Sequence, residues 1–75
     1  MNEIAIEVLK VIVDKALLSN DGWVMSVELP VKSKGEFEAV CEELEGKGCI
    51  TNVKYHGWYS IQCKVNYQVA LSYLQ

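Results

Sequence analysis

Ser33, followed three residues later by Glu36 and then by Phe37, Val40, Cys41 and Leu44, is the part of this chain that leaves the least freedom. A serine ahead of a helix accepts hydrogen bonds from the unpaired amides of the first turn, and a glutamate three positions on completes a capping box. The four apolar residues recur at spacings of three and four, which places them on one helical face. Gly46 and Gly48 then end the helix. The next segment has another character. From Cys49 to about Val65 the β-formers Ile50, Val53, Tyr55, Tyr59 and Ile61 flank His56-Gly57, the simplest turn, so a two-stranded hairpin is predicted. With that two-residue turn, Ile50, Ile61 and Cys63 share the inner face, and Val53, Tyr55 and Trp58 share the outer one.

The flanking segments complete the order. Glu3, Glu7, Lys10 and Asp14 fall on one stripe of a helix running from residue 3 to about 18. Ile4, Val8, Leu9, Ile12 and Ala16 make one apolar face of it, and Ile6, Val13 and Leu17 another, so this helix is either central or also an interface. Ser19-Asn20-Asp21-Gly22 stops it. Trp23 to Leu29 alternates as a half-buried strand does, with a short helical turn as the alternative, and Pro30 ends it. Tyr67 to Leu74, with Ala70, Leu71 and Leu74 at helical spacing, reads as a short closing helix. Seventy-five residues support one core, so residues 1–75 are read as a single α+β domain of order α-(β or short α)-α-β-β-α.

The run from Glu36 to Ile50 resembles the helix-to-wing segment of the winged-helix superfamily, where an apolar helical stripe leads into a leucine, a glycine and an aliphatic residue opening the first wing strand; here these are Leu44, Gly48 and Ile50. The Tyr67 to Leu74 stretch is similar to the last helix of small uncharacterised winged-helix proteins of bacilli and their prophages. The resemblance implies a winged-helix-like fold with a C-terminal wing, and a regulatory, DNA-associated role. Two departures oppose that role. The helix before the wing presents Glu36, Glu38, Glu42, Glu43 and Glu45, where a major-groove reader carries basic or amide side chains. The usual second helix is also compressed into Met25 to Leu29.

Charge sharpens the contrast. All ten carboxylates lie at or before Glu45, whereas residues 46–75 hold Lys47, Lys54 and Lys64 and no acid. No arginine occurs anywhere, which removes the side chain best suited to bidentate phosphate or guanine contacts. The apolar run Ile4 to Leu18 is interrupted by four charges and is too short for a membrane span. No secretory signal pattern opens the chain, and three cysteines fit reduced thiols, so a cytoplasmic location is expected. Cys41, Cys49, His56 and Cys63 are zinc-ligand types without a close CxxC pair; they read as buried thiols and an exposed turn histidine, with no metal or cofactor. A nucleophile with a neighbouring base is not apparent, so the chain is not read as an enzyme.

The candidate binding residues are Lys54, Tyr55, His56, Trp58, Tyr59 and Lys64, which combine stacking rings with positive charge. Two roles follow from them. One is double-stranded DNA contacted mainly through the wing. The other is a protein-protein interaction module that uses the acidic helix or the aromatic wing and binds no DNA. Ile6, Val13 and Leu17 are the expected interface of a homodimer.

Overall fold

The computed structural model describes residues 1–57 and 59–75. Among them the chain forms helix α1 (Glu3–Ala16), strand β1 (Trp23–Glu28), helix α2 (Lys34–Gly46), strands β2 (Ile50–Tyr55) and β3 (Ser60–Val65), and helix α3 (Tyr67–Leu74). The strands make one antiparallel sheet of order β1-β3-β2. Three helices and one three-stranded antiparallel sheet make a small α+β fold, as expected, and the ambiguous segment at Trp23 is a strand.

Local chemistry explains each boundary. Asn2 caps α1, its Oδ1 accepting from the Ala5 N–H at 2.8 Å. Ser33 caps α2 by accepting from the Glu36 N–H at 3.1 Å, while the Glu36 carboxylate accepts from the Lys32 N–H at 3.0 Å, one residue ahead of the amide a capping box would use. Asn66 caps α3 at the Val69 amide. Helix α1 stops at Ala16, two residues before the expected end, because Ser19 turns back: its hydroxyl donates to the Ala16 carbonyl at 3.0 Å. Leu17 and Leu18 are left 63% and 83% exposed. Gly22, at φ 79°, then carries the chain into β1 while its carbonyl accepts from the Val65 N–H.

Helix α1 packs against α2, α3, β1 and β3, so it is the central helix. This corrects the expected homodimer interface. Val13 is 3% exposed and belongs to the core, and Ile6 is half-buried; of the three residues only Leu17 is open. Helix α3 also packs on α1, with Ala70 buried and Tyr67, Val69 and Leu74 against the core.

Each outer strand carries one irregularity. Between Val24 and Val27, Met25 and Ser26 stand opposite the single residue Gln62; between Thr51 and Lys54, Asn52 and Val53 stand opposite Cys63. These are β-bulges, and a residue added to one strand reverses the faces of the residues beyond it. Asn52 sits in the left-handed region, at φ 54°.

The connection between β2 and β3 runs over residues 56–59 and replaces the expected two-residue turn. The His56 N–H donates to the Ser60 carbonyl, Gly57 is at φ 75° and Tyr59 at φ 64°. A tyrosine in that region costs about 1–2 kcal/mol. It is held there by the Leu29 N–H, which donates to the Tyr59 carbonyl and ties the hairpin end to β1.

Candidate functional site

The helices lie on one face of the sheet, and the candidate residues divide between its two sides. Beyond the bulge at Asn52, Lys54 pairs with Gln62 and Tyr55 with Ile61. Directly paired residues of antiparallel strands point to the same face, so Tyr55 joins the fully buried Ile61 on the core side. This corrects the expectation that Tyr55 faces outward. Val53 is half-buried against the core, and Tyr55 meets α2 at the rim. The physical reason is the extra residue in β2.

Phe37 of α2 organises this rim. Its ring, buried beneath the hairpin, meets Tyr55 edge to face at 5.7 Å and 71°, and Tyr59 at 6.0 Å and 87°. Such pairs fall within the preferred separation of ring centroids and each contribute about 0.5–1.5 kcal/mol beyond area burial. Tyr55 nevertheless remains 53% exposed. It forms one wall of a cleft of about 280 Å³ whose other lining residues are Lys34, Phe37, Glu38, Glu42 and Gly57. That is near the lower end of the roughly 300–1,000 Å³ usual for small-molecule pockets.

The field at the cleft is negative. Burial against α2 pushes the Tyr55 phenol above its ordinary range, and Cys41, Glu45, Glu42 and Glu38 add to the shift in that order. At neutral pH the Cys41 contribution vanishes, because that thiol is itself protonated; the three glutamates remain. Over half of Tyr55 is open to solvent, which screens the field. The spacing of Lys34, Glu38, Glu42 and Glu45 puts them on one helical stripe beside Phe37. The other acids of α2 are placed differently: Glu36 holds the Lys32 amide, and Glu43 is half-buried.

Lys54 and Lys64 lie on the opposite, open face of the sheet. Lys64 pairs with Trp23 on one side and Thr51 on the other, and its Nζ stands 5.9 Å from the centroid of the Trp23 ring, a cation–π distance. Lys54, Trp23 and Gln62 border one shallow hollow of that face. His56, exposed at the hairpin end, places Nε2 3.2 Å from the Gln62 Oε1. Trp58 lies outside the described residues. The expected cluster of rings and cations is thus two surfaces: Tyr55 and Tyr59 against the acidic helix, and Lys54, Lys64 and His56 toward the open face. Sequence reasoning missed Trp23 and Phe37 as site residues. Trp23 alternates with Met25 along β1, and that alternation was the available signal.

Compared with protein-family models, with curated proteins and with solved structures, the chain matches none.

The thiols offer no chemistry to either surface. Cys41, Cys49 and Cys63 are free and buried. Burial pushes Cys41 and Cys63 from the ordinary 9.0 up to about 11, with the charge of Glu45 adding to the first and of Cys41 to the second; Cys49 is raised by burial too, against the pull of Lys47. The nucleophile is the thiolate, so at pH 8 the native Cys41 and Cys63 are expected to react with an aromatic disulfide reagent at least about 100-fold more slowly than free cysteine. The same shifts fix an alkaline limit. The folded state keeps these protons to about 11 while the unfolded chain releases them near 9, so stability is full below pH 9 and falls between pH 9 and 11. A denaturation midpoint that stays flat to pH 11 would contradict this assignment. Among the described residues no group of three or more His, Cys, Asp or Glu side chains converges as metal ligands would.

Proposed function

We propose that this chain is a small winged-helix-like module that binds a protein partner through the cleft between α2 and the hairpin, in a non-catalytic role. The element order and the β1-β3-β2 sheet are compatible with a winged-helix arrangement. The observation that carries the functional reading is the Tyr55 ring, half exposed and fixed edge-on by Phe37 beneath Glu38 and Glu42. An exposed aromatic held in a defined orientation is a typical anchor of protein interfaces. Its carboxylate neighbours repel phosphate, which weighs against nucleic acid on this side of the wing. Three buried, unpaired thiols support a reducing, cytoplasmic setting. No helix among the described residues is long and apolar enough to cross a membrane.

A second reading rests on the open face, where Lys54, Lys64 and Trp23 gather away from the acidic helix. A regulatory, DNA-associated protein would lay double-stranded DNA there. Titration with a mixed-sequence duplex at 50 mM salt separates the two. Non-specific DNA binders reach roughly 0.1 mM to 1 µM even at physiological salt. We expect no binding in that range. Binding that weakens steeply with salt and disappears in Lys54→Glu would replace the protein-partner reading with the DNA one.

A further inference from the structure

We infer that the α2–hairpin cleft receives an arginine side chain from a basic segment of the partner, its guanidinium lying against Tyr55 with Glu38 and Glu42 accepting its N–H donors. This rests on the protein-docking reading above and names the chemistry of the partner. Three features of the cleft select it. The ring of Tyr55 is accessible but fixed, and an aromatic face attracts a cation. Glu38 and Glu42, one helical turn apart, border the same cleft, so a cation on the ring has carboxylates beside it. Lys34 stands one turn before Glu38 on that stripe and repels a cation from its end, which directs the incoming charge toward Glu38 and Glu42.

Arginine suits this arrangement better than lysine. Its planar guanidinium stacks on a ring and still directs N–H groups to carboxylates at its edge, whereas an ammonium is a compact, strongly hydrated point charge. The chain contains no arginine, so a second copy cannot supply the occupant. The cleft of about 280 Å³ has room for an arginine side chain, with the rest of the segment running over the exposed residues of α2.

The test uses the full chain, labelled with ¹⁵N, and three eight-residue Gly/Ser peptides carrying two arginines, two lysines or two citrullines. Citrulline keeps the planar shape without the charge. The arginine peptide is expected to shift the amides of Glu38, Glu42, Tyr55 and Gly57, the lysine peptide to bind more weakly, and the citrulline peptide to leave them unmoved. Both glutamates are exposed, so Glu38→Gln and Glu42→Gln preserve the fold; each should weaken binding roughly two- to fivefold, the range of an exposed charge pair. Tyr55→Phe keeps the ring and should bind like the parent. Equal binding of arginine and citrulline peptides overturns the cation chemistry and leaves a docking cleft for an uncharged segment. No shift at the cleft with any peptide, together with duplex-induced shifts at Lys54 and Lys64, overturns the protein-docking reading as well.

Discussion

Ile61→Ala is expected to remove most of the folding stability at 25 °C and leave a large fraction of the population unfolded. Ile61 is fully buried in the central strand, where it pairs with Val27 of β1 and Tyr55 of β2. Removing a buried isoleucine side chain to alanine costs about 2–5 kcal/mol, because the transfer energy is lost and the cavity collapses only partly. A core of this size supplies roughly 3–5 kcal/mol in total. Ile61→Val, which removes one methylene, should cost only about 0.5–1.5 kcal/mol and keep a cooperative urea transition. If Ile61→Ala retained a transition within about 1 kcal/mol of the parent, the central strand could not have the register described.

Asn52→Val is the second large effect, and it acts through the backbone. Asn52 has φ 54°, a conformation that asparagine tolerates and a β-branched residue does not. Valine there should cost about 1–3 kcal/mol, whereas Asn52→Gly should be neutral or slightly stabilising. The cost has a functional side. The bulge brings Tyr55 to the α2 side, so a β2 that relaxes to a regular ladder turns Tyr55 toward the open face and Lys54 toward Phe37. In the valine variant, binding of the arginine peptide should therefore fall by more than the loss of folded protein explains, and the Tyr55 phenol should ionise closer to its ordinary range. Chemical denaturation followed by tyrosine absorbance titration reads both. A valine variant as stable as the parent would mean that Asn52 is not in the left-handed region.

These two residues also mark how far the sequence could be read. Helix α2 is legible from Ser33, Glu36 and the Phe37 to Leu44 stripe, because those signals are local and repeat at fixed spacing, whereas the inner-face reading of Ile61 depends on a two-residue turn that the structure replaces. The bulge at Asn52 has no such signal. An asparagine between Thr51 and Val53 fits a regular strand as well as a bulged one, and what distinguishes them is the contact of Tyr55 with Phe37 of α2, between distant parts of the chain. The hairpin connection was misread for a related reason. His56-Gly57 satisfies the rule for a tight turn, but Tyr59 adopts positive φ under the tie to Leu29, and aromatic residues seldom do so. The expected cluster treats rings and lysines as one surface, and the bulge divides it into two. The two apolar faces of α1 leave open whether that helix is central or an interface, because nothing within it reveals that α2, α3 and the sheet all pack around it.

The two bulges have a further consequence for the crowded protein. Both lie in outer strands, β1 and β2, while β3 between them is fully paired. An outer strand with a continuous row of free backbone groups is a template on which another chain can add itself and start a fibril, and a bulge breaks that row. Here the break at Met25-Ser26 protects one border and the break at Asn52-Val53 the other. The residue that aims Tyr55 at the acidic helix also keeps its strand from being extended, so resistance to aggregation and orientation of the cleft rest on a single position.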